Sequence, residues 1–219
     1  MEDFDKYEKA LYYEIFIKEE YEKAKESIIK GNTIFDIGSH IGLFTERCLS
    51  LNPQGEIFCF EPVEILYKKM VARLSQKFPK SKIHTFNQGI GIKEQQETMF
   101  LNKTKTMQSS KYHSFLNQNG EATTVKFITM EQIIHQYQIQ NIDLVKMDIE
   151  GMEFEVLSSR QPSTFQKIQN IIIEIHLLDK TKEQQYQQLL EKIPQHFPTI
   201  HIQKSEYNQK ILLLFATKR

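Results

Sequence analysis

The sequence is short of everything that would mark a nucleic-acid binder, a disulfide-stapled scaffold or a membrane protein. Its 28 Lys and Arg are matched by 28 Asp and Glu, which leaves no net charge to track a phosphate backbone. The stretch around Lys103, Lys105 and Lys111 is the only local basic candidate. Cysteine is scarce. Cys48 and Cys59 lie in apolar segments and match no metal spacing, so they are expected to be buried, reduced thiols of a cytoplasmic protein. The longest apolar run, Ile211 to Ala216, falls far short of a membrane span. The charged opening Met1-Glu2-Asp3-Phe4-Asp5-Lys6 does not read as a secretory leader. Linker-like tracts, internal repeats and low-complexity segments are missing too. What remains, 40% hydrophobic and 26% charged, is the profile of one globular domain over 1–219. A chain of this length buries roughly 70% of its unfolded surface and needs no staple.

What is present alternates. Phe4, Tyr7, Leu11 and Ile15, then Ile17, Tyr21, Ala24 and Ile28, recur at helical spacing. They predict an N-terminal helical arm over 1–31, broken near Ile15–Ile17 and ended by Gly31-Asn32. Short apolar runs follow at Thr33–Phe35, Glu56–Phe60, Lys82–Phe86, Ile142–Met147 and Ile171–Ile175. Helix-like stretches separate them at Leu43–Leu51, Val63–Phe78, Glu131–Tyr137, Met152–Leu157 and Lys182–Ile193. Strands alternating with helices imply right-handed crossovers and an α/β fold, its mainly parallel sheet covered on both faces. Two departures stand out. Residues 95–128 carry strand-like runs at Glu97–Leu101 and Thr123–Phe127 around a polar middle, which reads as a hairpin insertion with a long mobile loop. Thr199–Gln203 and Lys210–Thr217, joined by a short polar turn, read as an antiparallel closing pair.

Each parallel run ends in a polar group: Asp36, Glu61, Asn87, Asp148 and His176. In an open parallel sheet the ligand crevice lies beyond the carboxyl ends of the strands, so these residues are expected on one rim. The first turn, "FDIGSHIGLF", gives Asp36-x-Gly38-x-x-x-Gly42. Taken alone it is as well explained by a tight turn into a helix. It is not the dinucleotide fingerprint Gly-x-Gly-x-x-Gly, and an acidic residue there repels a pyrophosphate while suiting a cationic ligand. Glu61, ending the second strand before Pro62, is placed to take both hydroxyls of a ribose. An adenosine with a cationic amino-acid tail satisfies both, and S-adenosylmethionine is that molecule.

The segments "IFDIGSHIGLFT", "IFCFEPVEILYKKM", "FITMEQIIHQY" and, most specifically, "IDLVKMDIEGMEFEVL" followed by "IIIEIH" resemble the FkbM-type methyltransferases. These are S-adenosylmethionine-dependent O-methyltransferases, and the likeness covers some two thirds of the chain, from about Thr33 to His176. It implies a Rossmann-like class I methyltransferase sheet. It also implies that Asp36, Gly38, Ser39 and Gly42 carry the methionine end, Glu61 the ribose, and Asn87 and Gln88 the adenine side, with Asp148 beside the reacting methyl. The acceptor it implies is a hydroxyl of a sugar, polysaccharide or small natural product, with no nucleic acid and no membrane span involved. Two positions depart from the family pattern, Ser39-His40 in the glycine turn and Met130-Glu131 where Leu-Asp is common. Both are read as variation, with His40 within reach of the pocket. Ser109-Ser110 resembles a serine-bearing loop of the family that touches substrate, but a solvated loop is the preferred reading.

Methyl transfer to an alcohol needs alignment and removal or polarisation of a proton. Asp148, Glu150, Glu174 and His176 supply the groups. His176 is the favoured general base, Asp148 holds the acceptor, and Glu150 and Glu174 orient them. The rival is a divalent metal on Asp148, Glu174 and His176. Plainer roles compete: Glu150 as a carboxylate at a helix N-terminus, Glu174 paired with Lys146, Tyr12 and Tyr13 as packing. His84, His113, His135, His196 and His201 have no motif context. Two other classes compete as well: a nicotinamide oxidoreductase, disfavoured by the missing third glycine, and a catalytically silent cofactor-binding scaffold.

Overall fold

The computed structural model describes residues 4–102, 109–110, 120–158, 162–205, 208 and 210–218. The chain opens with helix α1 (Lys6–Tyr12), whose start is fixed by a reciprocal cap: Asp5 accepts from the N–H groups of Tyr7 and Glu8, and Glu8 accepts from the N–H of Asp5. A π-turn (Tyr13–Ile17) ends it, and the chain re-enters helix at α2 (Lys25–Lys30) after a 3-10 turn (Glu22–Ala24). The arm is therefore broken where the spacing changes. Tyr12 stacks on Phe16 with ring centroids 4.6 Å apart, a packing role as expected.

The main sheet has seven strands: β1 (Thr33–Ile37), β2 (Glu56–Phe60), β3 (Lys82–Phe86), β8 (Leu144–Met147), β9 (Asn170–His176), β10 (Thr199–Lys204) and β11 (Ile211–Thr217). Their order is β10-β11-β9-β8-β1-β2-β3. β1, β2, β3, β8 and β9 run parallel, while β11 is antiparallel to both β9 and β10. The order turns back at β1, with β2 on one side and β8 on the other, so the crevice opens over the carboxyl ends of β1 and β8. Helices α3 (Leu43–Leu51), α4 (Glu64–Lys77), α5 (Met130–Gln136), α6 (Glu153–Ser158), α7 (Pro162–Lys167) and α8 (Lys180–Lys192) complete the layers.

Pleat alternation divides the core. Phe35, Ile37, Val145, Met147, Ile171 and Ile173 face one layer with Phe154 and Val156 of α6; Ile34, Leu144 and Ile172 face the other with α3, α4 and the arm. Ion pairs tie elements together on that second face. Glu8 meets Lys69 at 2.7 Å, Glu19 meets Arg47 at 2.7 Å, and Glu46 accepts from Arg73 Nε at 2.7 Å.

The insertion is larger than a hairpin. β5 (Gln95–Asn102) and β7 (Gly120–Ile128) pair antiparallel as expected, but β4 (Gly89–Ile90) and β6 (Ser109–Ser110) join them in a four-stranded sheet ordered β4-β7-β5-β6. Gly89 is required there, because a Cβ would lie 2.6 Å from the Phe127 ring. Lys103, Lys105 and Lys111, most of the expected mobile loop, and the side chains of Ser109 and Ser110 fall outside the described residues. Cys48 and Cys59 are both buried and free. Among the described residues, no helix is long and apolar enough to cross a membrane.

Candidate active site

The strand ends converge on a cavity of about 900 Å³, counted to its open mouth. Gly38, His40, Glu61, Pro62 and Leu66 line one side, Asp148, Ile149, Glu150, Met152 and Glu174 the other. The small sheet contributes Gly89, Ile90, Met99 and Phe127, and the arm contributes Leu11, Glu14, Glu20 and Tyr21. Six of the lining residues are carboxylates, and among the described residues no lysine or arginine lines the wall.

The first turn is tied down by backbone. Gly38 and Gly42 have φ of 78° and 82°, and a Cβ on Gly38 would lie 1.8 Å from the Asp148 carbonyl oxygen. Only glycine lets the two strand ends come this close. Ser39, expected among the cofactor residues, does not line the cavity. Its N–H donates to Phe60 O, and its hydroxyl donates to Asp36 O at 2.6 Å while accepting from Phe60 N–H at 3.0 Å. It braces the turn.

Asp36 is likewise not in the cavity wall. It is fully buried, and Thr45 donates to its Oδ2 at 2.7 Å. The β1–β8 register sets Asp36 opposite Lys146, whose Nζ lies 3.7 Å from Asp36 Oδ1 and 3.5 Å from Asp148 Oδ2 and donates to Gly38 O at 2.8 Å. Lys146 is thus the cation beneath the site, its nearest carboxylates Asp36 and Asp148 rather than Glu174. Burial raises the Asp36 carboxyl above its usual range, with Lys146 and Thr45 opposing. For Lys146 burial opposes the charge, but Asp148 and Asp36 outweigh it and the ammonium is held above its usual value. The alternation of an apolar strand, Leu144-Val145-Lys146-Met147, carried this signal, since a lysine at an inward position needs a partner.

Glu61 is 4% exposed and reaches the cavity. Its oxygens accept from the N–H groups of His40 at 2.9 Å and Val63 at 2.8 Å, which leaves lone pairs for a ligand. Burial pushes its carboxyl up to about 7. Asn87 does not line the cavity: its amide donates to Glu61 O and Pro62 O at 3.0 and 3.2 Å and holds the turn that aims Glu61. Gln88 is half-buried and also off the wall.

Asp148, Glu150, Glu174 and His176 do come together. His176 Nε2 lies 3.6 Å from both Glu150 Oε2 and Glu174 Oε1, because β8 and β9 are neighbours. Glu150 arrives by a turn rather than by strand pleat. Its φ is +54°, left-handed and uncommon for a residue with a Cβ. The sequence reading missed Glu153. This fully buried residue accepts through Oε1 from the N–H groups of Gly151 at 3.0 Å and Ile149 at 3.3 Å, and from His176 Nδ1 at 3.0 Å. The helix-start role considered for Glu150 is therefore performed by Glu153. The signal was its position between Met152 and Phe154, on the inward side of α6. Burial pushes the Glu150 carboxyl up to about 8 despite the opposing His176. For His176 burial favours the neutral ring, but Glu153, Glu150 and Glu174 outweigh it and hold the imidazole well above its ordinary range. These three carboxylates stand against the expected role of His176 as a free general base, which needs the neutral ring.

Strand order, glycine turn and acidic rim together define a class I S-adenosylmethionine-dependent methyltransferase. The structure of an S-adenosylmethionine-dependent O-methyltransferase from Thermotoga maritima superposes with a TM-score of 0.52 at 12% identity, covering 95% of this chain and 71% of that one. An rRNA methylase from Streptococcus thermophilus does so with a TM-score of 0.54 at 10% identity, covering 91% and 96%. At such identities these likenesses speak for the fold alone. The family is narrower: a model of the methyltransferase FkbM domain matches residues 36–209, and the chain belongs to that family. Its cofactor is S-adenosylmethionine. Among curated relatives, the 31-O-demethyl-FK506 methyltransferase FkbM of Streptomyces tacrolimicus is 23% identical over 194 residues, 77% of this chain and 75% of that protein. Methyltransferase sdnD of Sordaria araneosa is 23% identical over 193 residues, 75% and 73%. The AMB antimetabolite synthetase AmbE of Pseudomonas aeruginosa is 23% identical over 200 residues, 76% of this chain but 9% of the synthetase. Membership of a methyltransferase family leaves the nicotinamide alternative unfavoured.

Proposed function

We propose that the chain transfers the methyl group of S-adenosylmethionine to a hydroxyl of a small natural product or sugar. The observation that carries this reading is the cavity wall of six carboxylates without a lysine or arginine among the described residues. Such a wall accepts hydrogen bonds from hydroxyl groups and balances a sulfonium cation. The FkbM relative, a 31-O-demethyl-FK506 methyltransferase, supports the same chemistry at oxygen. In this reading Glu61 takes the ribose hydroxyls, with Pro62, Leu66 and Ile90 as the apolar wall beside the adenosine. Gly38 and the turn ending at Gly42 leave room for the methionine end, Asp36 supporting it through Lys146. Asp148 and Glu150 accept from the acceptor's hydroxyl, and Glu150 is placed to take its proton as the new carbon–oxygen bond forms. Labelled cofactor and cell extract, followed by mass spectrometry, test the reaction. The expected product is heavier by one methylene unit and is an ether; a product methylated on nitrogen would overturn the assignment.

Two expected results follow from this placement. Glu61→Ala weakens S-adenosylmethionine binding roughly 10- to 150-fold, the loss of a charge-assisted hydrogen bond of about 1.5–3 kcal/mol. Because burial pushes Glu61 up to about 7 in the free chain and ribose hydroxyls donate to the ionised form, affinity rises as pH passes upward through that value. Glu61→Gln removes this step. Calorimetry across pH reads both effects, and an unchanged Glu61→Ala dissociation constant would show that the ribose lies elsewhere. The second result concerns the arm. Leu11, Glu14, Glu20 and Tyr21 form part of the cavity wall, so amide exchange in residues 5–24 slows when cofactor binds. Equal exchange with and without cofactor would remove the arm's role as a cover.

A further inference from the structure

We propose that Asp148, Glu174 and His176 form a binding site for a hard divalent cation, Mg²⁺ or Mn²⁺, at the wall of the cavity. One donor atom from each residue lies within 4.8 Å of the others. Donors at about 2.1 Å from one cation lie up to roughly 4.2 Å apart, so a small side-chain contraction completes the shell.

The imidazole supplies an independent observation. His176 is 4% exposed, and its Nδ1 is committed to Glu153 Oε1 at 3.0 Å. That oxygen already accepts from the N–H groups of Gly151 and Ile149, which assigns Nδ1 as the donor. This orients Nε2 into the acidic cluster, where its nearest partners, Glu150 Oε2 and Glu174 Oε1, both lie at 3.6 Å, too far for a hydrogen bond. A buried ring nitrogen held 3.6 Å from two carboxylate oxygens is placed so that a cation between them can replace the ring proton. A carboxylate on the far ring nitrogen is the support that metal-ligating histidines ordinarily have.

The ligand set selects the ion. Two carboxylates and one imidazole, with no thiolate, favour hard divalent cations, and three protein ligands leave positions open for water and an acceptor oxygen. For its role, though not its existence, the site rests on the methyl-transfer reading. The cation would polarise the acceptor hydroxyl. The O–H bond breaks with its proton passing to Glu150, the oxygen's electron pair forms the bond to the methyl carbon, and the carbon–sulfur bond breaks with its pair remaining on sulfur as S-adenosylhomocysteine.

The test titrates the full chain with Mn²⁺ in the absence of cofactor, following free Mn²⁺ by electron paramagnetic resonance. One ion bound per chain and displaced by Mg²⁺ is expected, with Glu174→Gln and His176→Asn each weakening it about 10- to 100-fold. Glu14→Gln, which removes a cavity carboxylate outside the triad, weakens Mn²⁺ binding far less than either. No binding at millimolar Mn²⁺ overturns the site, as does equal weakening by Glu14→Gln, which would mean diffuse attraction by the acidic wall. A chelator that leaves methyl transfer untouched overturns the role. Calorimetric S-adenosylmethionine binding by the same chelated protein separates these failures from failure of the methyl-transfer reading.

Discussion

Lys146→Met is expected to destabilise the chain by about 3–5 kcal/mol, the loss seen when one partner of a buried ion pair is removed. Lys146 is 5% exposed and serves three groups at once: Gly38 O at 2.8 Å, Asp148 Oδ2 at 3.5 Å and Asp36 Oδ1 at 3.7 Å. Thr45 donates only to Oδ2 of the fully buried Asp36 and Oδ1 has no hydrogen bond, so Lys146 is the cation that balances it. Without Lys146, the glycine turn also loses the bond that holds its first carbonyl. Most of the cost is therefore an uncompensated charge, and the double variant Asp36→Asn, Lys146→Met recovers much of it. Urea unfolding measures both. A single-variant loss below about 1 kcal/mol, in the range of an exposed pair, would show that Lys146 does not hold the floor of the site.

His176→Asn is expected to lower the transfer rate at least about 100-fold, while cofactor affinity and the unfolding midpoint stay close to wild type. The substitution is chosen for its geometry. An asparagine amide can occupy the position of Nδ1 and still donate to Glu153, so the buried carboxylate keeps a partner. What disappears is Nε2, the atom that faces Glu150 and Glu174 at 3.6 Å. Single-turnover kinetics with saturating cofactor read the chemical step directly. Wild-type transfer by a folded His176→Asn protein would remove the histidine from the reaction, whether as imidazolium or as ligand.

The parallel strands were predictable because continuous apolar runs ending in polar residues are enforced by burial on both faces. Ile171–Ile175 and Leu144–Met147 have no other place to go. The convergence of Asp148 and Glu150 with Glu174 and His176 was predictable for the same reason, since strand ends on neighbouring strands share a rim. Orientation at the next level of detail was not. Ser39 and Asn87 carry the right chemistry for a ligand, but short polar side chains in turns bond the nearest backbone first, and they bind Phe60, Asp36, Glu61 and Pro62 instead. Glu153 was hidden inside an apolar helix, where its pattern matches packing until His176 is placed beside it. The small sheet escaped because β4 is two residues long and gains its place only by pairing with β7.

The most direct test of the account is a crystal structure of the chain with S-adenosylhomocysteine. It should show the ribose hydroxyls on Glu61 and the sulfur turned toward Asp148, so that a methyl on it would point at the wall formed by Asp148, Glu150 and Glu174. A ribose bound away from Glu61, or a sulfur facing away from Asp148, would contradict it.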